Sequence, residues 1–318
     1  MAANLRSWND TPTKQAIQDF VAKVVDTNSD SYVPPVERIA VFDNDGTLWC
    51  ERPVQVQVDF ILRRLTEMAD KDAALRTQQP WQAAYEKDFG LFSDTMTRHY
   101  RGDDSKVKVL LGGILKAFDA MTVEAFEKAA AGFMHSAQHP SLGVPYMDVT
   151  FQPMAELLRF LEANDFTNYI VSGGGRDFTR PVTQTQYEIP PERVVGSAVT
   201  LEYQADDQSV YIMRKPGLDF IDDGPAKAVH IWDRIGRYPI FAAGNANGDI
   251  PMLRLAEAGP HAPLCMLINH NDADREFDYT AGAEDAMKTA PERGWVVVSV
   301  KQDWRTVFAV KARRYLEG

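Results

Sequence analysis

Apolar runs that stop abruptly at small or acidic residues recur along this chain. The sharpest is Ile39-Ala40-Val41-Phe42, which ends in Asp43-Asn44-Asp45-Gly46-Thr47. A short run that is apolar at every position is the pattern of a strand buried on both faces of a parallel sheet. Asn168-Tyr169-Ile170-Val171 has the same form and leads into Ser172-Gly173-Gly174-Gly175-Arg176. So does Pro239-Ile240-Phe241-Ala242-Ala243, which leads into Gly244-Asn245-Ala246-Asn247-Gly248-Asp249. Residues 265–269 and 295–300 predict two more strands. Helical spacing separates these runs. Ile17, Phe20, Val21, Val24 and Val25 share one face of a helix over 11–26, with Asp10 or Thr11 as its cap. Leu157, Leu158 and Leu161 do the same over 154–164, and Val229, Ile231, Trp232 and Ile235 in the helix that Lys227 opens. Residues 193–203 and 209–214 flank Asp206-Asp207 and predict a hairpin. Residues 304–316 predict a closing helix with a basic face.

One stretch breaks the alternation. Between residues 54 and 138 strand-like runs are nearly absent, and 58–68 and 117–134 are periodic. A helical block placed between the first strand and the next strand–helix unit predicts a separate small domain. Its two joints fall near Pro53 and Pro145. The fold class is therefore α/β, with a mostly parallel sheet and an inserted helical domain.

The 318 residues allow one large domain or two smaller ones. The net charge of -11 argues against nucleic acid as a partner. It leaves anionic substrates open, because a cation and a lysine can reverse the sign inside a cleft. Cys50 and Cys265 are the only cysteines, which excludes a cysteine zinc site and a disulfide framework. No apolar run has the length of a membrane span. Met-Ala-Ala-Asn-Leu-Arg lacks the apolar region of a signal peptide, so the cytoplasm is the expectation as the chain stands, and the periplasm if a leader has been removed.

The candidate chemistry sits at the strand tips. In open α/β sheets the carboxyl ends of strands deliver ligand-binding residues. A common acidic turn would explain Asp45-Gly46 by itself. Two carboxylates at the end of a buried strand are costly to desolvate without a cation or a proton beside them. The glycines after Ser172 leave backbone N–H groups open to an anion. Lys227 opposes the dipole of the helix it opens, which argues against a purely local reason for it.

In this order and spacing the motifs resemble those of the haloacid dehalogenase superfamily of hydrolases, over about residues 36–308. Asp43-x-Asp45-Gly46-Thr47 resembles the first motif, Ser172 the second, Lys227 the third, with Lys215 as its competitor, and residues 244–253 the fourth. The resemblance implies a Rossmann-like three-layer core over 1–52 and 146–318, a small β insert at about 193–215, and a helical cap over 53–145. It implies Asp43 as nucleophile and Asp45 as general acid and base. Lys227 would neutralise charge, and Thr47, Ser172 and the Gly173 backbone would hold phosphoryl oxygens. It also implies Mg²⁺, held by Asp43, the Asp45 backbone carbonyl, and Asn245 or Asp249. Relatives carry Asp where Asn245 or Asn247 stands, so a weaker metal site is expected here. Asp45 separates phosphatases from dehalogenases of this fold, which lack it and use no metal. The layout is closest to the phosphoserine-phosphatase-like branch. The expected activity is Mg²⁺-dependent hydrolysis of a small phosphorylated metabolite. The alternatives are a catalytically weak binder of a phosphorylated ligand, a phosphotransferase, or a dehalogenase.

Further candidates follow from position. Glu51, just past the first motif, is a candidate substrate contact. Trp81, Tyr85, His99, Tyr100 and Arg101 lie in the helical block, where packing or solvation is the commoner role. His270, Asp272 and Arg275 are read as surface pairs at a helix start rather than as a catalytic cluster. His135, His139, His230 and His261 have no metal-ligand spacing.

Overall fold

The structure is a computed structural model and describes residues 4–88 and 115–309. Eight strands form one sheet in the order β4-β3-β2-β1-β5-β6-β7, with β8 also on β6. They are β1 (Ile39–Phe42), β2 (Thr167–Gly175), β3 (Val194–Ala205), β4 (Val210–Phe220), β5 (Phe241–Gly244), β6 (Leu264–Asn271), β7 (Asp278–Tyr279) and β8 (Val296–Ser299). Every pairing is parallel except β3–β4 and β6–β7. All four residues of β1 and of β5 are buried, as the unbroken apolar runs predict.

Alternation along β1 separates two apolar layers. Ala40 and Phe42 join one cluster, which contains Phe241, Ile170 and Ile17 from helix α1 (Pro12–Val25). Ile39 and Val41 join the other, which contains Val171, Leu267 and Ile231. Ile231 comes from the helix that carries Lys227, numbered α7 below. This gives the three-layer α/β core. No helix among the described residues is long and apolar enough to cross a membrane.

Between β1 and β2 the described elements are helical: α2 (Val56–Lys71), α3 (Trp81–Tyr85) and α4 (Val123–Ser136). Their packing is aromatic. The ring of Phe60 lies 5.1 Å from Phe118, 5.8 Å from Phe126 and 5.2 Å from Phe133. Phe178 approaches Phe60 to 5.2 Å from α6 (Arg176–Tyr187), which follows α5 (Gln152–Glu162) in the chain and ties the block to the core. His99, Tyr100 and Arg101 lie outside the described residues.

Three expectations change. The hairpin is longer, because β3 starts in the main sheet, paired with β2, and β4 runs on through Pro216 to Phe220. Proline is tolerated there because β4 is the edge strand. The last helix among the described residues is the short Val300–Asp303, and residues 304–308 are not helical. Their backbone is bonded elsewhere: Arg305 N–H donates to Ser7 O (2.7 Å), and the Arg275 guanidinium takes the Trp304 carbonyl (2.8 Å). Residues 310–316 lie outside the described residues. Finally, His270, Asp272 and Arg275 do not begin a helix. His270 lies in β6, and both His270 and Asp272 are 2% exposed, so the surface reading of the cluster fails.

Candidate active site

The end of β1 fixes Asp43. Its N–H donates to Ala243 O (2.9 Å), which extends the ladder with β5 by one step. The chain then turns tightly around one carbonyl. Asn44 O accepts from the backbone N–H of Thr47 (3.2 Å), Leu48 (2.8 Å) and Trp49 (3.2 Å). The turn needs Gly46 at φ +75, and a Cβ there would stand 2.1 Å from Asn245 Nδ2. A Gly46→Ala variant is therefore expected to lose roughly 1–3 kcal/mol of stability, read by urea unfolding. Unchanged unfolding would show that the turn can relax.

A buried histidine steadies the same turn. His270 Nε2 donates to Gly46 O (2.7 Å), and its Nδ1 faces Glu276 Oε1 at 2.6 Å. Burial pulls the His270 pKa down, but the charge and hydrogen bond of Glu276 outweigh it and the net shift is upward. Behind the imidazole, Tyr279 stacks at 4.6 Å and donates its OH to Glu51 Oε1 (2.8 Å).

Lys227 comes from α7 (Pro225–Ile235), and Asp249 stands at the start of α8 (Ile250–Glu257). Lys227 Nζ lies 2.6 Å from Asp43 Oδ1 and 2.6 Å from Asp249 Oδ1. All three are nearly sealed from solvent. Burial lowers the lysine pKa, but Asp249 and Asp43 together raise it well above its ordinary value. The Asp43 carboxyl is pushed well up, first by burial and then by Asp249, against the pull of Lys227. One ammonium between two buried carboxylates leaves an uncompensated negative charge, the situation that a cation relieves. Lys215 also lines the cleft, but it is half exposed and pairs with Glu202 at 3.2 Å.

Asp45 shares the cleft with Asp43 and Lys227. Burial raises its pKa to about 6, although Trp49 Nε1 donates to Oδ1 (2.7 Å) and opposes the rise. The Asn245 amide is held at both ends. Its Nδ2 donates to Glu51 Oε1 (3.1 Å), and its Oδ1 accepts from Thr47 Oγ1 (3.1 Å). The Glu51 carboxylate takes the amide N–H and so dictates the amide orientation, which turns the oxygen to the Thr47 hydroxyl. Asp249 Oδ2 accepts the N–H of Asn245 (2.9 Å) and of Ala246 (3.0 Å), so both its oxygens are engaged.

The glycine loop closes the site. Gly173, Gly174 and Gly175 line the cleft. Ser172 is buried beneath them and accepts the Gly174 N–H on Oγ (3.0 Å). Thr47 is likewise buried, with its hydroxyl given to Asn245. From the helical block, Gln57 Oε1 accepts the Gly175 N–H (2.6 Å).

The structure thus brings Asp43, Asp45, Glu51, Gly173, Lys227, Asn245 and Asp249 to one cleft of about 280 Å³. Thr47 and Ser172 stand behind it, and Trp81 and Tyr85 do not line it. Gln57, Ser197, Arg214 and Asp223 line it without having been singled out. Trp49, His270 and Tyr279 support it from outside. His270 and Tyr279 reach Gly46 and Glu51 from far along the chain, where no local spacing marks them, and Trp49 bonds Asp45 across the turn. The other described histidines make local or surface bonds: His139 accepts from Leu142 N–H, His230 meets Asp222, and His261 meets Glu37.

As a test for magnesium, the donors are of the right kind. Oxygen ligands from a carboxylate, an amide and a backbone carbonyl suit a hard divalent ion. Among the described residues no three His, Cys, Asp or Glu side chains gather as a metal group.

The model of the haloacid dehalogenase-like hydrolases matches residues 40–254. No curated protein matches the chain. Among solved structures, a conserved, functionally unknown protein from Anaerococcus prevotii is similar at 16% identity and TM-score 0.55, covering 94% of each chain. A protein of unknown function from Bordetella pertussis is similar at 16% identity and TM-score 0.49, covering 82% of this chain and 98% of its own. A phosphoserine phosphohydrolase-like protein from Francisella tularensis is similar at 16% identity and TM-score 0.41, covering 84% and 95%. The family match spans more than half of the residues and includes the tips of β1, β2 and β5, and so the chain belongs to the haloacid dehalogenase-like hydrolases.

Proposed function

We propose that this hydrolase cleaves a small phosphate monoester through an aspartyl-phosphate on Asp43. The observation that carries the reading is the Lys227 ammonium held 2.6 Å from both Asp43 and Asp249, in a cleft shared with a second carboxyl, Asp45. In the first step an Asp43 oxygen attacks phosphorus and the bond to the leaving oxygen breaks. Asp45 gives that oxygen its proton. In the second step Asp45 takes a proton from water, the water oxygen attacks phosphorus, and the bond to Asp43 breaks. Lys227 offsets the repulsion between the carboxylate and the incoming anion. In the glycine loop Gly174 and Gly175 give their N–H groups to Ser172 and Gln57, so the Gly173 backbone would meet the phosphoryl oxygens, and the helical block covers the cleft as a cap and keeps water out.

Asp43, the Asp45 backbone carbonyl and the Asn245 amide oxygen would hold magnesium, with Asp249 supporting Lys227. Bound there, the ion would neutralise phosphoryl charge and align it with the nucleophile. A dehalogenase has no use for a proton donor at position 45, which favours the phosphatase. Asn245 supports one second reading, a weak or inactive chain that binds a phosphorylated ligand.

Assay with p-nitrophenyl phosphate and magnesium separates the readings. Turnover that rises with the metal supports the enzyme, and no turnover with any divalent ion supports the binder. Asp45→Asn is expected to lower kcat about 10²–10⁴-fold. The acid must hold its proton, so kcat/KM is expected to fall as pH rises through about 6. The descending limb should vanish in Asp45→Asn, and a limb that survives assigns it to another group.

A further inference from the structure

Gln57, in the first turn of α2, carries the helical block onto the glycine loop. Its Oε1 accepts the Gly175 N–H at 2.6 Å. An N–H needs an oxygen opposite it, so this bond settles which limb of the amide faces the loop. Nε2 is left as a donor on the other limb. It makes no hydrogen bond among the described residues, and it is not sealed from solvent. Gln57 and Gly175 both line the cleft, and it is there that this unused donor opens.

The loop is shaped to admit the amide. A Cβ at Gly175 would stand 2.8 Å from Gln57 Nε2, and one at Gly174 would stand 3.3 Å from Oε1. The same point at Gly174 lies 3.5 Å from Asp45 Oδ2 and 3.2 Å from Ser172 Oγ. The amide, the Asp45 carboxyl and the Ser172 hydroxyl therefore meet around one glycine. Beside Gln57 the helical block lines the cleft with Val58, Ile61 and Phe126. In an apolar setting a donor gains more from an anionic partner than it does in water.

We propose that Gln57 is a substrate-binding residue, whose Nε2 donates to a phosphoryl oxygen in place of the Gly175 N–H that its Oε1 has taken. This rests on the phosphatase reading and adds to it a contact from the helical block. Gly175 donates to the amide oxygen, and the amide carries donors onward into the cleft. Phosphoryl oxygens are strong acceptors, and hydrogen bonds to them are charge-assisted. A latch that only seats the helical block on the loop needs Oε1 alone, and glutamate supplies that oxygen as well as glutamine does.

The test is the affinity for inorganic phosphate in magnesium buffer, measured by calorimetry on the wild-type chain, Gln57→Ala and Gln57→Glu. Glutamate keeps the acceptor for Gly175 and removes the donor, and alanine removes both. Both variants are expected to bind phosphate about 10–100-fold more weakly, the scale of a hydrogen bond to a charged group. Salt at about 0.5 M screens a repulsion that acts through solvent, so the loss in Gln57→Glu should persist there. Wild-type affinity in Gln57→Glu shows a latch, and wild-type affinity in Gln57→Ala shows no contact. Either result overturns the inference, as does a loss in Gln57→Glu that salt abolishes. A wild type that turns over p-nitrophenyl phosphate without binding phosphate overturns the inference alone. A wild type that does neither overturns the phosphatase reading and this inference with it.

Discussion

An Asp43→Asn protein is expected to lose about 10⁴–10⁶ of its turnover on p-nitrophenyl phosphate, the scale on which an enzyme loses its nucleophile. An amide oxygen is a far poorer nucleophile than a carboxylate, and nothing else in the cleft stands against both Lys227 and the end of β1. The fold should persist. Asp249 still faces the ammonium at 2.6 Å, and the change removes the repulsion between Asp249 and Asp43 that helps to raise the Asp43 pKa. Circular dichroism reports the fold, and mass spectrometry of quenched reactions reports the phosphoryl adduct. Residual turnover within tenfold of wild type, or an adduct on another residue, would sink the assignment.

Lys227→Met is the second large effect and acts on stability as well as rate. Removal of the ammonium leaves Asp43 and Asp249 buried without their counter-charge. Breaking a buried ion pair from one side typically costs about 3–5 kcal/mol. The rate should fall about 10²–10³-fold, as when one charge-stabilising donor is lost. The stability loss should depend on pH in a definite direction. Burial already holds the Asp43 carboxyl above its unfolded value, and without Lys227 it rises further. A carboxyl with a raised folded pKa destabilises above its unfolded pKa, and the penalty is relieved as pH falls through the folded pKa. The variant should therefore be weakest near neutral pH and recover toward wild type on acidification. Urea unfolding at several pH values checks this, and a deficit independent of pH would show that the buried carboxylates are not its cause.

Much of this was legible in the sequence, and the reason is periodicity. A central parallel strand is apolar at every position, so β1 and β5 announce themselves, and the residues at their ends with them. Lys227 was singled out by the family order of the motifs, and its opposition to its own helix dipole argued only against a local reason for it. Helix α6 was not, since Pro181 interrupts its pattern and the preceding glycines suggest a loop. The closing segment misled for a different reason: helical spacing at residues 304–308 is overridden by hydrogen bonds to Arg275 and Ser7. Around the site, Trp49 touches Asp45 across a tight turn, and His270 reaches Gly46 from a strand far along the chain. The first depends on the geometry of the turn, and the second exists only once the sheet has assembled.

The strand order sets the nucleophile proposed here and the rim of the cleft on separate strands. Asp43 hangs from β1, in the middle of the sheet, fixed by main-chain bonds to a neighbour on each side. Arg214 sits on β4, the outermost strand, beside the helical block. A substitution on the outermost strand therefore leaves the main-chain anchoring of β1, from which Asp43 hangs, as it is.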